Sequence, residues 1–368
     1  MVYMLSDLHI GAKNNNSFFF ENTIERYFNE YFFPLCMNNE GCRKDDILVV
    51  LGDVFDNRQS VNSVMMSYAI GLFEKLADTF SKVYVICGNH DTPSTKQNCD
   101  TSLNCLKHIA GVELVVDRPI CVAYEGEILG MLPWATDTEV LKRWAEEMPK
   151  AQYLFCHVET AGCLMTGGKG VRSESPFEAD SLGNRNHIFS GHIHIRQEHA
   201  KITYVGSPYH LDRNDTGNTK GVYVLDVMQG NSTFYPNNVT PEYKNINIRT
   251  IMDSPEEAHA EMRGNYCTVQ VPSSLAGESA VKDLVTRLSE GTLGDDGPLT
   301  LATDMQTEGE SLATNLQVLE SVNDGTFSLA DFIKRFIEES PDYDNTEKKA
   351  LLKLIYEPAK DFENAKSV

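Results

Sequence analysis

Long apolar runs are missing from this chain. No stretch of its 368 residues approaches the roughly eighteen consecutive apolar positions of a membrane-spanning helix, and the first residues lack the basic, apolar and small-residue succession of a secretory signal. A soluble, untargeted protein is the expectation. Cysteine pairing is missing too: nine cysteines, an odd number, are scattered with no CxxC. That spacing excludes the disulfide framework of a small secreted domain and argues against structural zinc. Basic residues are scarce, with 32 Lys and Arg against 53 Asp and Glu and a net charge of −21. A balance so negative opposes phosphate-rich partners, whose contact relies on Lys and Arg. A nucleic-acid function therefore needs local positive charge from another source. The apolar content of 41% suffices for a large core with one or two small units beside it.

What is present is a recurring strand ending. Residues 47–51 are all apolar and rich in β-branched side chains, which predicts a strand buried on both faces of a sheet. It ends in Gly52-Asp53-Val54-Phe55-Asp56, where the glycine permits a close turn and Asp53 stands at the sheet edge. In open α/β sheets that edge, beyond the carboxyl ends of the strands, is where ligands bind. A lone aspartate there could equally cap the next helix, but the ending repeats with metal-binding residue types at each tip. Residues 1–5 lead to Asp7-x-His9, whose side chains, two apart on extended chain, project to one side. Residues 83–87 lead to Gly88-Asn89-His90-Asp91, residues 153–156 to His157, and residues 187–190 to Gly191-His192-x-His194. Amphipathic helices are expected over 17–33, with Phe20, Ile24, Tyr27, Phe28 and Tyr31 on one face, and over 62–79, with Val64, Tyr68, Leu72 and Leu76.

Five strand ends thus supply Asp7, His9, Asp53, Asn89, His157, His192 and His194. So many ligand-type side chains are too many for one ion and suit two. Two divalent cations roughly 3.5–4 Å apart repel unless an anion lies between them, and a carboxylate can both bridge and space them. Asp53, on the most central strand, is the expected bridge. Asp7, His9 and His194 complete one site, and Asn89, His157 and His192 the other. A hydroxide between the two ions would be the nucleophile. Imidazole, carboxylate and amide donors without thiolate suit Mn, Fe, Zn or Co better than Mg or Ca, and manganese is the expected metal. His90 is left for chemistry: an imidazole titrates near neutrality and can steady phosphate oxygens or protonate a leaving oxygen. The other role open to it is to orient a neighbouring ligand. Asp56 and Asp91 are expected behind the ligands, Asp56 holding an imidazole in place. His108, His199, His210 and His259 read as surface or core histidines.

Together these motifs, with Phe55 in Gly52-Asp53-x-Phe55-Asp56, resemble those of the calcineurin-like metallophosphoesterases. That phenylalanine and the later segment Tyr204-x-Gly206-Ser207 are similar to the DNA-repair branch of the family, the SbcD-type exonuclease subunits and phage recombination endonucleases. The resemblance implies an α/β fold: a four-layer α-β-β-α sandwich with a small α/β capping domain and a C-terminal helical hairpin. It implies a DNA nuclease, a double-strand exonuclease and single-strand endonuclease that processes ends in recombination, repair or phage replication. It also implies the ligand roles given above, a catalytic His90, and a cytoplasmic homodimer, bacterial or in a phage-infected host, working with an SbcC-like coiled-coil ATPase. A phosphatase or small-molecule phosphodiesterase on the same dimetal core is the alternative. A metal-free scaffold ranks last, because every ligand position is filled.

Residues 1–240 form the expected nuclease domain, closed by strands between 204 and 235. Residues 241–306 read as a capping domain of strands around Ile246 and Ile248, Cys267 to Val271 and Leu299 to Leu301, with a short helix between the first two and another at 281–288. Residues 307–368 read as a linker and a helical hairpin. Ser328 and Asp331 make a capping pair there, and Phe327 and Phe332 stand at staple positions. By resemblance, residues 327–357 bind the ATPase. Over 241–368 there are 24 acidic and 12 basic residues, which leaves −9 on residues 1–240. Bound cations offset part of that charge. Lys13, Arg58, Lys96, Lys169, Arg172, Arg196 and Arg213 lie close in sequence to the ligand motifs and are candidate DNA contacts. Lys169, within Gly167-Gly168-Lys169-Gly170-Val171-Arg172, is not a Walker lysine, since glycine follows it. Weak DNA binding by the chain alone is the expectation, with affinity supplied by the ATPase.

Overall fold

The computed structural model describes residues 1–38, 45–92, 101–148, 150–165, 170–272 and 300–304. The chain divides into units Met1–Asp304 and Met305–Val368. The second unit, with the expected hairpin at 327–357, lies outside the described residues. So do Lys96, Lys169, Leu299 and the helix expected at 281–288.

The apolar runs fold into two six-stranded sheets. In the first, β1 (Val2–Leu5), β2 (Ile47–Val50), β3 (Lys82–Ile86) and β4 (Val112–Val115) run parallel. The second contains β5 (Ile120–Tyr124), β6 (Glu127–Leu132), β7 (Tyr153–His157), β8 (His187–Gly191), β9 (Gln197–His199) and β10 (Ile202–Tyr204), in the order β5-β6-β7-β8-β10-β9. Its four inner strands are parallel and its two edges antiparallel. A hairpin of β11 (Gly221–Asp226) and β12 (Asn231–Pro236) returns to the first sheet, where β11 pairs antiparallel with β1.

Alternation along the strands sends side chains to opposite faces, and the packing follows it. Tyr3, Leu5, Leu48, Val50, Val83 and Val85 cluster with Ile24, Tyr27, Phe28 and Phe32 of the helical segment α1 (17–38) and with Leu72, Phe73 and Leu76 of α2 (Ser63–Thr79). Val2, Met4, Ile47 and Val49 instead cluster with Leu129, Met131, Tyr153, Phe155 and Phe189 of the second sheet. Leu132, Leu154, Cys156 and Ile188 pack with Leu141, Trp144 and Ala145 of α3 (Thr138–Glu146). Each sheet is thus covered on both faces, which is why its parallel strands read as unbroken apolar runs.

Two helical expectations need correction. In α2, capped by the Asn62 side chain on the Val64 N–H at 2.8 Å, Val64 is 64% exposed. The buried stripe is Met65, Ala69, Leu72, Phe73 and Leu76, one residue out of phase with a stripe begun at Val64. The segment α1 runs on to residue 38 and is widened by turns in which Arg26 N–H reaches the Glu21 carbonyl, five residues back. Such turns move side chains off the 3.6-residue spacing, and Phe28, Phe32 and Phe33 all face inward.

After Thr240 come three parallel strands, β13 (Tyr243–Asn247), β14 (Tyr266–Pro272) and β15 (Thr300–Asp304), with α4 (Ile248–Asp253) and α5 (Pro255–Met262) between the first two. Ile248 therefore begins a helix and does not continue a strand. It is buried with Ile251 at helical spacing, and that pair prevails over its alternation with Ile246.

His210 joins this region to the loop that follows Ser207. Its Nδ1 accepts the Tyr243 N–H at 3.2 Å and its ring stacks on that tyrosine. Burial, with help from the Lys220 charge, pushes its pKa down to about 4. An unfolded histidine titrates near 6.5, so the unfolded chain takes up a proton that the folded chain resists. Stability from this site is intact above about pH 6.5 and is lost as pH falls toward 4, by up to roughly 3 kcal/mol. His210→Asn, which keeps an acceptor for Tyr243, is expected to shrink the drop in melting temperature between pH 7 and pH 4.5. An equal drop in both proteins would contradict this assignment.

Candidate metal centre

Strand register brings the ligand-bearing ends level. Leu5 pairs with Val50, Val50 with Val85, and His157 with Gly191. The two sheets meet at those ends: His157 Nδ1 donates to the Leu51 carbonyl at 2.6 Å, and His192 N–H donates to Asp7 Oδ1 at 3.1 Å. Gly52, at φ 94°, makes the approach feasible, since a Cβ there would lie 2.3 Å from His157 Nδ1. Asp7, His9, Asp53 and His192 hold φ of 52°, 43°, 53° and 77°. Left-handed backbone costs a non-glycine residue roughly 1 kcal/mol or more. Here it is held by Asp7 N–H to the Gly52 carbonyl and His9 N–H to the Asp53 carbonyl, both 3.0 Å. Of the nine non-glycine residues at positive φ among the described residues, these four are gathered at the strand ends.

Three candidate groups result, and the third, His9, Asp56 and His90, shares His9 with the first. Asp7, His9 and His194 bring a carboxylate oxygen and two imidazole nitrogens within 4.8 Å of one another, and Asp53, His157 and His192 form a second such group. Asn89 Oδ1 joins the second, 2.9 Å from His157 Nε2 and 2.8 Å from His192 Nδ1. Asp53 Oδ2 stands between the groups, 3.8 Å from His9 Nε2 and 3.5 Å from His157 Nε2. Its other oxygen accepts the His90 N–H at 2.8 Å. Two features fit cations here. Asp7 Oδ2 is buried without a hydrogen-bond partner among the described residues, and His9 Nε2 and His194 Nε2 point at each other across 3.1 Å. Lone pairs aimed inward at carboxylates and an amide oxygen form a donor set for a borderline divalent ion.

Electrostatics without metal show the same demand for positive charge. Burial would lower His9 and His157, but hydrogen bonds and charges from Asp56, Asp53 and Asp7 lift both to about 9. Burial would raise Asp53, yet His157 and His9 hold it well below the usual range. Asp91 supports this carboxylate from beneath. It accepts the N–H groups of Gly88 and Asp53 on one oxygen and of Val54 and Phe55 on the other. Burial and the Asp53 charge push it up, and those four donors pull the other way.

His90 lies half-buried at the rim, its ring edge-on to His9. Its Nδ1–H donates to the Asp56 carbonyl at 2.6 Å, which leaves the lone pair of the neutral ring on Nε2. Burial holds its pKa down. Asp56 also accepts from His9 Nδ1 at 3.1 Å. Of the candidate basic residues, Lys13 and Arg58 are exposed and close enough to act on Asp56 and His90 respectively. Arg172 donates to the Gly162 carbonyl, and Arg196 lies 4.3 Å over the Phe234 ring with Nη1 on the Tyr223 hydroxyl.

Sequence reading missed the supports. Buried Lys220 donates to the His194 carbonyl at 2.6 Å, Ser207 Oγ at 2.9 Å and Asp215 Oδ1 at 2.5 Å. The Tyr204-x-Gly206-Ser207 segment is thereby tied to a ligand loop. Asp212-x-x-Asp215, a capping box, was the local signal. Glu159, two residues past His157, reaches His192 Nε2 at 3.2 Å.

Parallel strand ends from two sheets thus converge on candidate metal-ligand groups of carboxylates and imidazoles around one central aspartate. The chain belongs to the calcineurin-like phosphoesterase family, whose pattern matches residues 1–196. Members of that family use two metal ions, and this chain carries residue groups able to hold them. It is similar to exonuclease subunit 1 of Enterobacteria phage T4, 29% identical over 192 residues, or 51% of this chain and 55% of that protein. The chain thus spans about half the length of this curated relative. Among solved structures it is similar to a phosphopantetheinyl hydrolase from Mycobacterium tuberculosis, 15% identical, TM-score 0.34, covering 56% of this chain and 90% of that one. A protein of unknown function from Aquifex aeolicus matches at 15% identity and TM-score 0.28, over 54% of this chain and 81% of that one.

Proposed function

We propose that this chain is a metal-dependent DNA nuclease, the hydrolytic subunit of a complex with an SbcC-like ATPase. The observation that carries the reading is the paired ligand groups sharing Asp53, in a chain similar to a phage exonuclease subunit. Asp7, His9 and His194 would hold one divalent ion and Asn89, His157 and His192 the other, with Asp53 between them; manganese fits this donor set. Two such ions polarise a phosphodiester and lower the pKa of water. His90 steadies the phosphate oxygens or protonates the leaving oxygen through Nε2, its Nδ1–H being engaged by Asp56. Lys13 and Arg58 supply local positive charge against the net −9 of residues 1–240. The three apolar clusters are then the interfaces of a four-layer α-β-β-α sandwich. Residues 241–306 are the cap and 327–357 the segment binding the ATPase. The nuclease is a cytoplasmic homodimer with double-strand exonuclease and single-strand endonuclease action. No helix among the described residues is long and apolar enough to cross a membrane.

Digestion of linear duplex DNA with Mn²⁺, beside hydrolysis of bis(4-nitrophenyl) phosphate, tests this reading. Wild type is expected to degrade both, and His90→Gln to be slowed by about 10²- to 10⁴-fold with its metal content retained. Cleavage of the small diester alone, with duplex DNA still intact after the ATPase is added, would favour a small-molecule phosphodiesterase.

A further inference from the structure

The imidazoles of the two ligand groups turn their outer nitrogens to different partners. His9 Nδ1 meets Asp56 and His157 Nδ1 meets the Leu51 carbonyl, both in or beside the β2 strand end. His192 is held otherwise: Nδ1 faces Asn89 Oδ1 at 2.8 Å and Nε2 faces Glu159 Oε2 at 3.2 Å. Both nitrogens look at acceptors, and a neutral imidazole has one proton. The carboxylate is the stronger acceptor, so the proton sits on Nε2 and the Nδ1 lone pair points at the lone pairs of Asn89 Oδ1. That contact would be favourable with both atoms as neighbouring ligands of one cation.

Glu159 is itself aimed. Its other carboxylate oxygen accepts from Ser173 Oγ, and its main-chain carbonyl accepts from Ser175 Oγ at 3.1 Å. Ser173 is fixed in turn, its N–H on the Cys163 carbonyl at 2.8 Å and its carbonyl on the Gly162 N–H at 2.9 Å. The carboxylate is thus gripped by a segment that comes after β7 and contributes no ligand.

We propose that Glu159, anchored by Ser173 and Ser175, is a positioning residue that holds His192 as the Nε2–H tautomer and presents its Nδ1 to the metal site of Asp53, Asn89 and His157. The inference rests on the dimetal reading above. It makes that second site dependent on a segment outside the strand ends, whereas the site of Asp7, His9 and His194 is independent of it.

Mn²⁺ titration of the full chain, followed by calorimetry and by the exchange-coupled EPR signal of paired ions, tests this. Wild type is expected to take two ions. Glu159→Ala should keep the first affinity and lose about 10- to 100-fold in the second, with the coupled signal displaced to higher Mn²⁺. Glu159→Gln, whose amide oxygen still accepts from Nε2–H, should recover most of that loss, and Ser173→Ala should fall between. Two ions bound by Glu159→Ala with wild-type affinities would overturn this proposal alone. Fewer than two in wild type would overturn it together with the dimetal reading. If Glu159→Ala does not fold, Ser173→Ala decides: an unchanged second affinity overturns the proposal.

Discussion

Asp53→Asn is expected to lose phosphodiester hydrolysis by at least about three orders of magnitude, roughly 4 kcal/mol of transition-state stabilisation. Asparagine is the informative replacement because residue 53 holds φ 53°, and Asn tolerates left-handed backbone better than Ala. The amide can still accept the His90 N–H, which reaches Asp53 Oδ1 at 2.8 Å. What disappears is the negative charge between the groups, where Oδ2 lies 3.8 Å from His9 Nε2 and 3.5 Å from His157 Nε2. Without that anion two cations repel, so Mn²⁺ uptake should fall below two ions per chain while the far-ultraviolet circular dichroism is unchanged. Turnover within tenfold of wild type would show that Asp53 is not the bridge.

Gly88→Ala is expected to damage fold and site together. A Cβ at residue 88 would lie 2.2 Å from Asp53 Oδ1 and 2.4 Å from the Asp53 main-chain nitrogen. Neither side can give way cheaply: the N–H groups of Gly88 and Asp53 both donate to Asp91 Oδ2 at 2.9 Å. One methyl here should cost about 3 kcal/mol or more and displace the central carboxylate. Gly71, exposed on α2 with nothing within 4 Å of its added Cβ, is the control. Alanine there should stabilise by about 0.5–1 kcal/mol through helix propensity. Melting curves and Mn²⁺ titrations of the two variants decide the matter. A Gly88→Ala protein with wild-type stability and metal uptake would refute the close-packed account.

The strand-end motifs were legible because they are local. An apolar run followed by Gly-Asp or Gly-Asn-His needs only its own few residues to be recognised, and parallel strands covered on both faces carry no polar interruption. The strands expected at residues 1–5, 47–51, 83–87, 153–156 and 187–190 therefore appear within a residue of where their composition puts them. Helix phase was less legible, since Val64 against Met65, or Ile248 against Ile246, is settled by which side chain finds a neighbour to pack on.

Partnership across the chain could not be read from composition or period. Glu159 reaches His192 over a separation of 33 residues, Lys220 reaches His194 over 26, and Asp91 grips amides 36 to 38 positions away. Glu159 and His192 follow neighbouring strands of the second sheet, Asp53 and Asp91 follow neighbouring strands of the first, and Lys220, which leads into β11 of the first sheet, reaches a loop of the second. Residue type and spacing could name candidate ligands. Which nitrogen of His192 faces inward, and which carboxylate keeps it there, follows from how the chain closes on itself.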